Sequence, residues 1–171
     1  MGKEQQILFI FDSNCKLNEN LFLNPDYEIL EFVPTIFRLK LDNFYNIKDF
    51  FKHVLWFLST KGKYKIVYVV NNKKIIHYSY VIPKFYKFSF LAENDLEIGP
   101  CYTQPDYRGI HIFPYIIAYI INKYRNHNNF IMVVDGNNIN SQKGIQKAGL
   151  RKYGIVNKNI FGIHKITEIF V

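Results

Sequence analysis

Residues 95–124 read DLEIGPCYTQPDYRGIHIFPYIIAYIINKY. This stretch predicts a buried strand, a short turn that carries Arg108 and Gly109, and then an apolar helix. Such a turn presents unpaired backbone N–H groups, a cation and the positive end of a helix dipole at one place. Phosphate groups bind at places of this kind, so the stretch predicts a site for a phosphorylated cofactor.

Length and composition predict one packed domain over residues 1–171. The chain is 49% hydrophobic and 18% aromatic, which argues against disorder. Its two cysteines, Cys15 and Cys101, have the spacing of neither a metal site nor a disulfide framework. The N-terminus lacks a signal-peptide pattern, and the longest apolar run, residues 112–121, is about half as long as a membrane-spanning helix. We therefore expect a cytoplasmic protein with no bound metal and no membrane insertion.

The net charge of +8 is unevenly distributed along the chain. Residues 1–100 carry 13 basic and 11 acidic side chains, whereas residues 101–171 carry 9 basic and 3 acidic ones. The excess lies in the half that holds the predicted phosphate turn, where it would attract an anionic ligand. A solvated, lysine-rich surface explains the charge equally well. Nucleic acid is not the expected partner, because the basic residues are scattered and form no recognised motif.

Periodicity and turn residues predict the remaining elements. Strands are predicted over 6–11, 27–32, 64–70, 74–81, 87–91, 95–103 and 130–134, with a final pair after Gly149; helices are predicted over 47–58, 112–125 and 141–148. Asn46 would cap the first helix, and Asn71-Asn72 would turn a hairpin. The order predicts an α/β (α+β) fold with a mixed, largely antiparallel central sheet flanked by helices.

Two motifs in residues 64–171 resemble the GNAT family of acetyl-CoA-dependent N-acyltransferases. The family's cofactor turn reads Gln/Arg-x-x-Gly-x-Gly/Ala, often Arg-Gly-x-Gly-x-Gly. Here it stands as Arg108-Gly109-Ile110-His111-Ile112-Phe113, so His111 and Phe113 replace the two usual later glycines.

A second family pattern is Asn, a small residue at the third position after it, Tyr at the seventh, and Gly-Phe at the eleventh and twelfth. The matching positions are Asn138, Ser141, Ile145, Gly149 and Leu150. The spacing is kept, but isoleucine replaces the tyrosine.

The resemblance implies a GNAT-like fold in which the fourth and fifth strands, residues 95–103 and 130–134, splay apart around an acyl-pantetheine arm. It also implies a cofactor-binding core over 64–171 and a variable, acceptor-side portion over 1–63. The implied cofactor-binding residues are Cys101, Tyr102 and Thr103 through the main chain, Arg108, Gly109, Ile110, His111, Ile112 and Phe113 at the pyrophosphate, and Asn138, Ser141 and Lys143 further along. With side chains at 111 and 113, we expect ordinary negative φ values there.

Acyl transfer to an amine needs a base and, in most cases, a proton for the departing thiolate. Glu97 stands where several family members carry a base glutamate, and it would need a raised pKa or a water relay. A glutamate bonded to a neighbouring strand is an equally good interpretation. Ile145 stands where the family often keeps its acid tyrosine, so the acid role stays open, with Tyr102 and, near it in sequence, Tyr107 as candidates. The thiolate could also leave unprotonated, because the pKa of a thiol is about 8.5.

The resemblance implies an acetyltransferase that uses acetyl-CoA and acts on the primary amine of a small polar acceptor. The Phe113-Pro114 pair is similar to members that modify nucleotide-linked amino sugars, so such a sugar is one expected acceptor. A protein N-terminus or lysine, a longer acyl donor, and a binding protein with a degraded site stay open. Residues 82–90 fit an acceptor pocket or, better, plain core packing. The sequence does not indicate an oligomeric state.

Overall fold

The computed structural model describes residues 5–41, 46–159 and 162–170. Within them, eight strands form one sheet in the order β2-β3-β4-β5-β6-β1-β7-β8. The strands are β1 Gln6–Phe11, β2 Glu28–Phe32, β3 Lys65–Asn71, β4 Lys74–Pro83, β5 Leu96–Thr103, β6 Phe130–Asp135, β7 Arg151–Lys158 and β8 His164–Ile169; the helices are α1 Ile47–Ser59, α2 Ile112–Lys123 and α3 Ile139–Ala148. Neighbouring strands are antiparallel except β5 and β6, which are parallel. The predicted fold class is confirmed.

The N-terminal strand lies in the middle of the sheet. β1 pairs with β6 on one side and β7 on the other, antiparallel to both. Its residues alternate between the two faces, and the successive side chains of Leu8 and Phe9 are both fully buried. The apolar side chains of β1 therefore pack on both faces of the sheet.

Helices cover both faces of the sheet, as the alternating burial of the strands requires. On one side, here called the α2 face, the apolar residues of α2 and α3 pack on Val67, Ile98 and Met132. On the other, the α1 face, Trp56 of α1 packs among aromatic residues that include Tyr64 and Tyr80.

Local capping explains where the helices begin and end. Asn46 accepts a hydrogen bond from the N–H of Asp49 (2.9 Å) and caps α1, as predicted. Asn138 caps α3 in the same way, so this helix begins two residues before the predicted start. It ends at Gly149, whose φ of +114° suits glycine. Among the described residues, no helix is long and apolar enough to cross a membrane.

Two local predictions are wrong. The β3–β4 hairpin turns at Asn72 and Lys73, which have φ values of +48° and +63°, because Asn71 still pairs with Lys74. The predicted strand over 87–91 is instead a 3-10 turn at Tyr86–Phe88. Turning the chain in this way buries Phe88 on the α1 face, so the aromatic segment packs in the core.

Candidate active site

The site begins where β5 and β6 separate. The two parallel strands pair only at Leu96 with Phe130 and at Glu97 with Ile131 in the described structure. Beyond these residues the strands diverge, and a cleft of about 850 Å³ opens between them. The predicted splay is therefore confirmed, and the volume is in the range of small-molecule sites.

A bulge in β5 accompanies the separation. Ser79 of β4 lies opposite Cys101 and Val81 lies opposite Ile98, so two steps along β4 match three along β5. The extra residue falls at Gly99-Pro100, where Gly99 has a φ of +150°. Because a bulge bends its strand, it turns the second half of β5 along the wall of the cleft.

The turn before α2 alternates in backbone conformation. Gly109 has a φ of +83° and His111 a φ of +67°, with Ile110 between them outside the positive-φ region. This alternation makes an anion-binding nest, and it leads directly into the N-terminus of α2. The expectation of a negative φ at His111 is wrong, because His111 adopts the left-handed conformation that a glycine would have at this position.

Phe113 is accommodated by a glycine on α3. A Cβ atom on Gly144 would lie 2.7 Å from Cδ1 of the Phe113 ring and 3.0 Å from Cε1. The other side of this half-buried ring approaches His77, with 6.2 Å between the ring centroids. The aromatic side chain therefore packs against α3 beside the turn.

Cations surround the mouth of the cleft. Arg108, Lys143 and Lys147 line it, and Asp135 is the acidic residue among its described lining. Nζ of Lys147 lies 3.1 Å from Nε2 of His111. Lys147 was not predicted as a site residue, although its spacing of four from Lys143 places both on one face of a helix. The positive mouth suits an anionic ligand.

The predicted cofactor residues all line this cleft except Ile110, which is half-exposed on the turn. Asn138 uses its side-chain oxygen to accept the N–H of Ser141 at 3.1 Å. Its amide N–H groups are therefore the part of the side chain suited to a ligand. Nε of Arg108 donates to the carbonyl of Thr103 at 3.1 Å, which holds the guanidinium over the end of β5.

Glu97 is the last residue of β5 that pairs with β6, directly before Ile98 and outside the residues that line the cleft, and its side chain lies on the α1 face. It is 6% exposed, and its Oε1 lies 3.6 Å from the position that a Cβ on Gly99 would take. Burial raises the pKa of Glu97 to about 8, while the nearby positive charge of Lys87 acts to lower it. A carboxyl group with this pKa exchanges its proton near neutral pH, as a general base must.

The two candidate tyrosines differ in their surroundings. Tyr102 is 44% exposed and stacks on Tyr78, with ring centroids 5.7 Å apart. The hydroxyl of Tyr107 accepts a hydrogen bond from Asn71 (3.2 Å), and its ring packs edge-on against Tyr27. Tyr107 therefore contacts the end of β3 and the segment before β2, and Tyr102 is the tyrosine of this pair whose ring is the more exposed beside the cleft.

A buried polar chain supports β5 behind the cleft, and the sequence did not predict it. Nδ1 of His77 lies 2.7 Å from Oγ1 of Thr103, and Nε2 lies 2.9 Å from Oγ of Ser79. Burial lowers the pKa of His77 to about 3, so the imidazole is neutral. Burial also raises the pKa of the Cys101 thiol to about 12, which makes this thiol a poor nucleophile. The sequence could have indicated this pair, because His77 and Ser79 are two residues apart in one strand and therefore share a face.

No known family model matches the sequence, and no curated protein is detectably similar. Solved structures do match. An acetyltransferase assigned to the GNAT family from Novosphingobium aromaticivorans superposes with a TM-score of 0.57 at 14% identity, over 91% of this chain and 62% of that one. A GNAT-family acetyltransferase from Colwellia psychrerythraea gives 0.57 at 13% identity, over 88% and 53%. The fold is GNAT-like.

A conserved protein of unknown function from Staphylococcus epidermidis also matches, with a TM-score of 0.59 at 13% identity, over 88% of this chain and 58% of that one. The chain thus spans less than two thirds of the length of each of these structures. Identities this low establish a shared fold.

Proposed function

We propose that this chain is an acetyl-CoA-dependent N-acetyltransferase, which transfers an acetyl group to the primary amine of a small polar acceptor. The observation that carries the proposal is the cleft between β5 and β6, with the nest at Gly109 and His111 on its rim. A GNAT-like fold supports the same activity.

On the donor side, the residues present fit the cofactor. The N–H groups of residues 109–113 would bind the pyrophosphate, with Arg108, Lys143 and Lys147 supplying positive charge at the same mouth. The main chain of residues 101–103 would bind the pantetheine arm as a strand binds its neighbour. Acetyl-CoA would supply an acyl group activated as a thioester.

On the acceptor side, Glu97 and Tyr102 are the proposed catalytic residues. Glu97 would accept the proton of the amine, directly or through water, because its burial holds the carboxyl pKa near neutrality. Tyr102 would donate its hydroxyl proton towards the departing sulfur. Both residues belong to β5, so one strand would carry the base, the acid and the main-chain groups that bind the donor.

A nucleotide-linked amino sugar is the first acceptor to test. The stacked rings of Tyr78 and Tyr102 offer an exposed aromatic surface beside the cleft, which is suited to stacking on a base or a sugar ring. Peptides with free N-termini and lysines form the competing class. Turnover of peptides with no turnover of amino sugars would assign the acceptor to proteins.

A thermal-shift titration with acetyl-CoA, CoA and ATP tests the donor site. A ligand at ~100 times its dissociation constant adds about 2.7 kcal/mol to the free energy of unfolding. Acetyl-CoA and CoA should raise the melting temperature and ATP should not. Arg108→Ala should weaken this response, whereas Arg125→Ala, an exposed arginine outside the cleft lining, should keep it.

Thiol release with amine acceptors then tests the transfer itself. Glu97→Gln should keep the thermal response to acetyl-CoA and slow the release of thiol. Absence of any thermal response in the parent protein would contradict the proposal and favour a binding protein that retains the fold. A response to acetyl-CoA together with full activity of Glu97→Gln would remove Glu97 from the mechanism but keep the donor site.

A further inference from the structure

Helix α1 exposes an apolar stripe. Ile47, Phe51, Leu55 and Leu58 are 65%, 57%, 52% and 66% exposed, and their spacing places them along one side of the helix. Four large apolar side chains on one exposed helix side form the kind of surface that marks an interaction site.

The inward side of the same helix carries Trp56 and two buried polar residues, and their contacts fix the orientation of α1. Asp49 and His53 are buried, at 9% and 1% exposure. Nζ of Lys40 lies 3.0 Å from Oδ2 of Asp49, and Nε2 of His53 lies 3.1 Å from the hydroxyl of Tyr80. Rotating the helix to bury the stripe would break these contacts. It would separate the buried charges of Lys40 and Asp49, which is costly. The apolar stripe therefore faces outward as a consequence of the fold.

The charges beside the stripe are positive. Lys48 is exposed along its edge, and Lys61 and Lys63 are exposed just after the helix, whereas Lys52 pairs with Asp49 at 2.7 Å. The acidic residue of α1, Asp49, is buried and paired. The described surface of the helix thus combines apolar side chains with cations and presents no exposed carboxylate.

A second exposed apolar element belongs to the segment that is tied to α1. Ile36 and Phe37 are 69% and 94% exposed at the tip of a tight turn, which is closed by backbone hydrogen bonds between Thr35 and Arg38. The same segment is joined to the start of α1 by the Lys40–Asp49 ion pair. Arg38, which is exposed, adds a further cation next to these apolar side chains.

We propose that the stripe of α1 and the Ile36-Phe37 tip together adsorb the protein on the surface of an anionic lipid membrane. Apolar side chains flanked by lysines are the pattern of helices that lie in the membrane interface, where the chains enter the headgroup boundary and the cations meet anionic lipid. Pairing of two copies through the same stripe would bring Lys48 of each copy towards the exposed lysines of the other, which opposes self-association. The proposal is independent of the acetyltransferase activity.

Co-sedimentation of the full chain with lipid vesicles tests this proposal. The vesicles are pure phosphatidylcholine in one series and equimolar phosphatidylcholine and phosphatidylglycerol in the other. The chain should bind the anionic vesicles preferentially. Added salt should weaken this binding, because at 0.1 M it screens the attraction between lysines and anionic lipid beyond a distance of about 10 Å. Phe51→Ser combined with Leu55→Ser should lower the partition by about tenfold or more.

Matched controls distinguish binding through this surface from nonspecific binding by exposed apolar side chains. Ile169→Ser removes a similarly exposed apolar residue on β8 and should leave vesicle binding unchanged. Circular dichroism of each variant should match the parent, because the substituted side chains are exposed. Equal binding to both vesicle types, binding to neither, or unchanged binding of the Phe51/Leu55 double variant would overturn the proposal. So would light scattering that shows a dimer which the double variant converts to a monomer, since the stripe would then be a self-association interface.

Discussion

The ring of Phe113 lies in the space that a side chain on Gly144 would need, with Cδ1 2.7 Å from the position of the missing Cβ. Phe113 is the second residue of α2, just after the nest, and Gly144 lies in the middle of α3. The size of one side chain is therefore matched to the absence of the other, and the contact holds α2 and α3 together beside the cleft.

This contact predicts that the effect of Gly144→Ala depends on Phe113. In the parent, the added methyl group overlaps the ring, so the substitution should destabilise the protein by about 1–2 kcal/mol. In a Phe113→Ala background, the higher helix propensity of alanine should make the same substitution stabilising by about 1 kcal/mol. Urea unfolding of the four proteins measures both effects. The same sign in both backgrounds would show that the ring does not restrict Gly144.

The left-handed conformation of His111 predicts a preference for glycine. His111→Gly should be more stable than His111→Ala by about 1 kcal/mol, because alanine keeps the strained positive φ and glycine does not. At Gln146, which is exposed in α3, the order should reverse by about the same amount. Thermal unfolding of the four variants gives both differences, and an alanine preference at both positions would contradict the strain.

The raised pKa of Glu97 predicts a pH-dependent stability difference. The carboxyl has an ordinary value of 4.5 and a folded value of about 8, so the fold favours the protonated form. The stability that this group contributes is fully present below its ordinary pKa of 4.5. It is lost progressively as the pH rises from there through the folded pKa of about 8. Glu97→Gln should therefore gain stability relative to the parent between about pH 5 and about pH 8, at up to about 1.4 kcal/mol per pH unit.

Glu93→Gln is the matched control for Glu97→Gln, because Glu93 is an exposed carboxylate that pairs with Lys84 at the surface. Its stability relative to the parent should change little over the same pH range. Urea unfolding at several pH values measures the two curves. A flat difference for Glu97→Gln would mean that its carboxyl titrates alike in the folded and unfolded chains.

The buried chain behind β5 predicts a cost for Ser79→Ala. This change leaves Nε2 of His77 buried without its partner, which should destabilise the protein by about 1–3 kcal/mol. Ser59→Ala, which removes an exposed hydroxyl bonded to the carbonyl of Leu55, should cost less than about 1 kcal/mol. Equal effects in urea unfolding would show that the contact between His77 and Ser79 does not contribute.

Local pattern was sufficient for most of the elements. The periodicity of residues 47–58 and the cap at Asn46 predicted α1, and alternation with turn residues predicted the central strands. The strand predicted over 87–91 does not form, because burial of Phe88 on the α1 face outweighs the strand propensity of the aromatic run. The hairpin shifted by one residue because strand register, set by packing, decides which residues turn.

The sequence by itself determined the order of the elements, the position of the turn before α2 and the charge that surrounds it, because these depend on neighbouring residues. The tertiary structure alone decided that β1 lies between β6 and β7, that Gly144 meets Phe113, and that Lys147 and His77 stand beside the cleft. Each of these joins residues that are far apart in the chain. Such contacts follow from which surfaces pack together, and no local spacing encodes that choice.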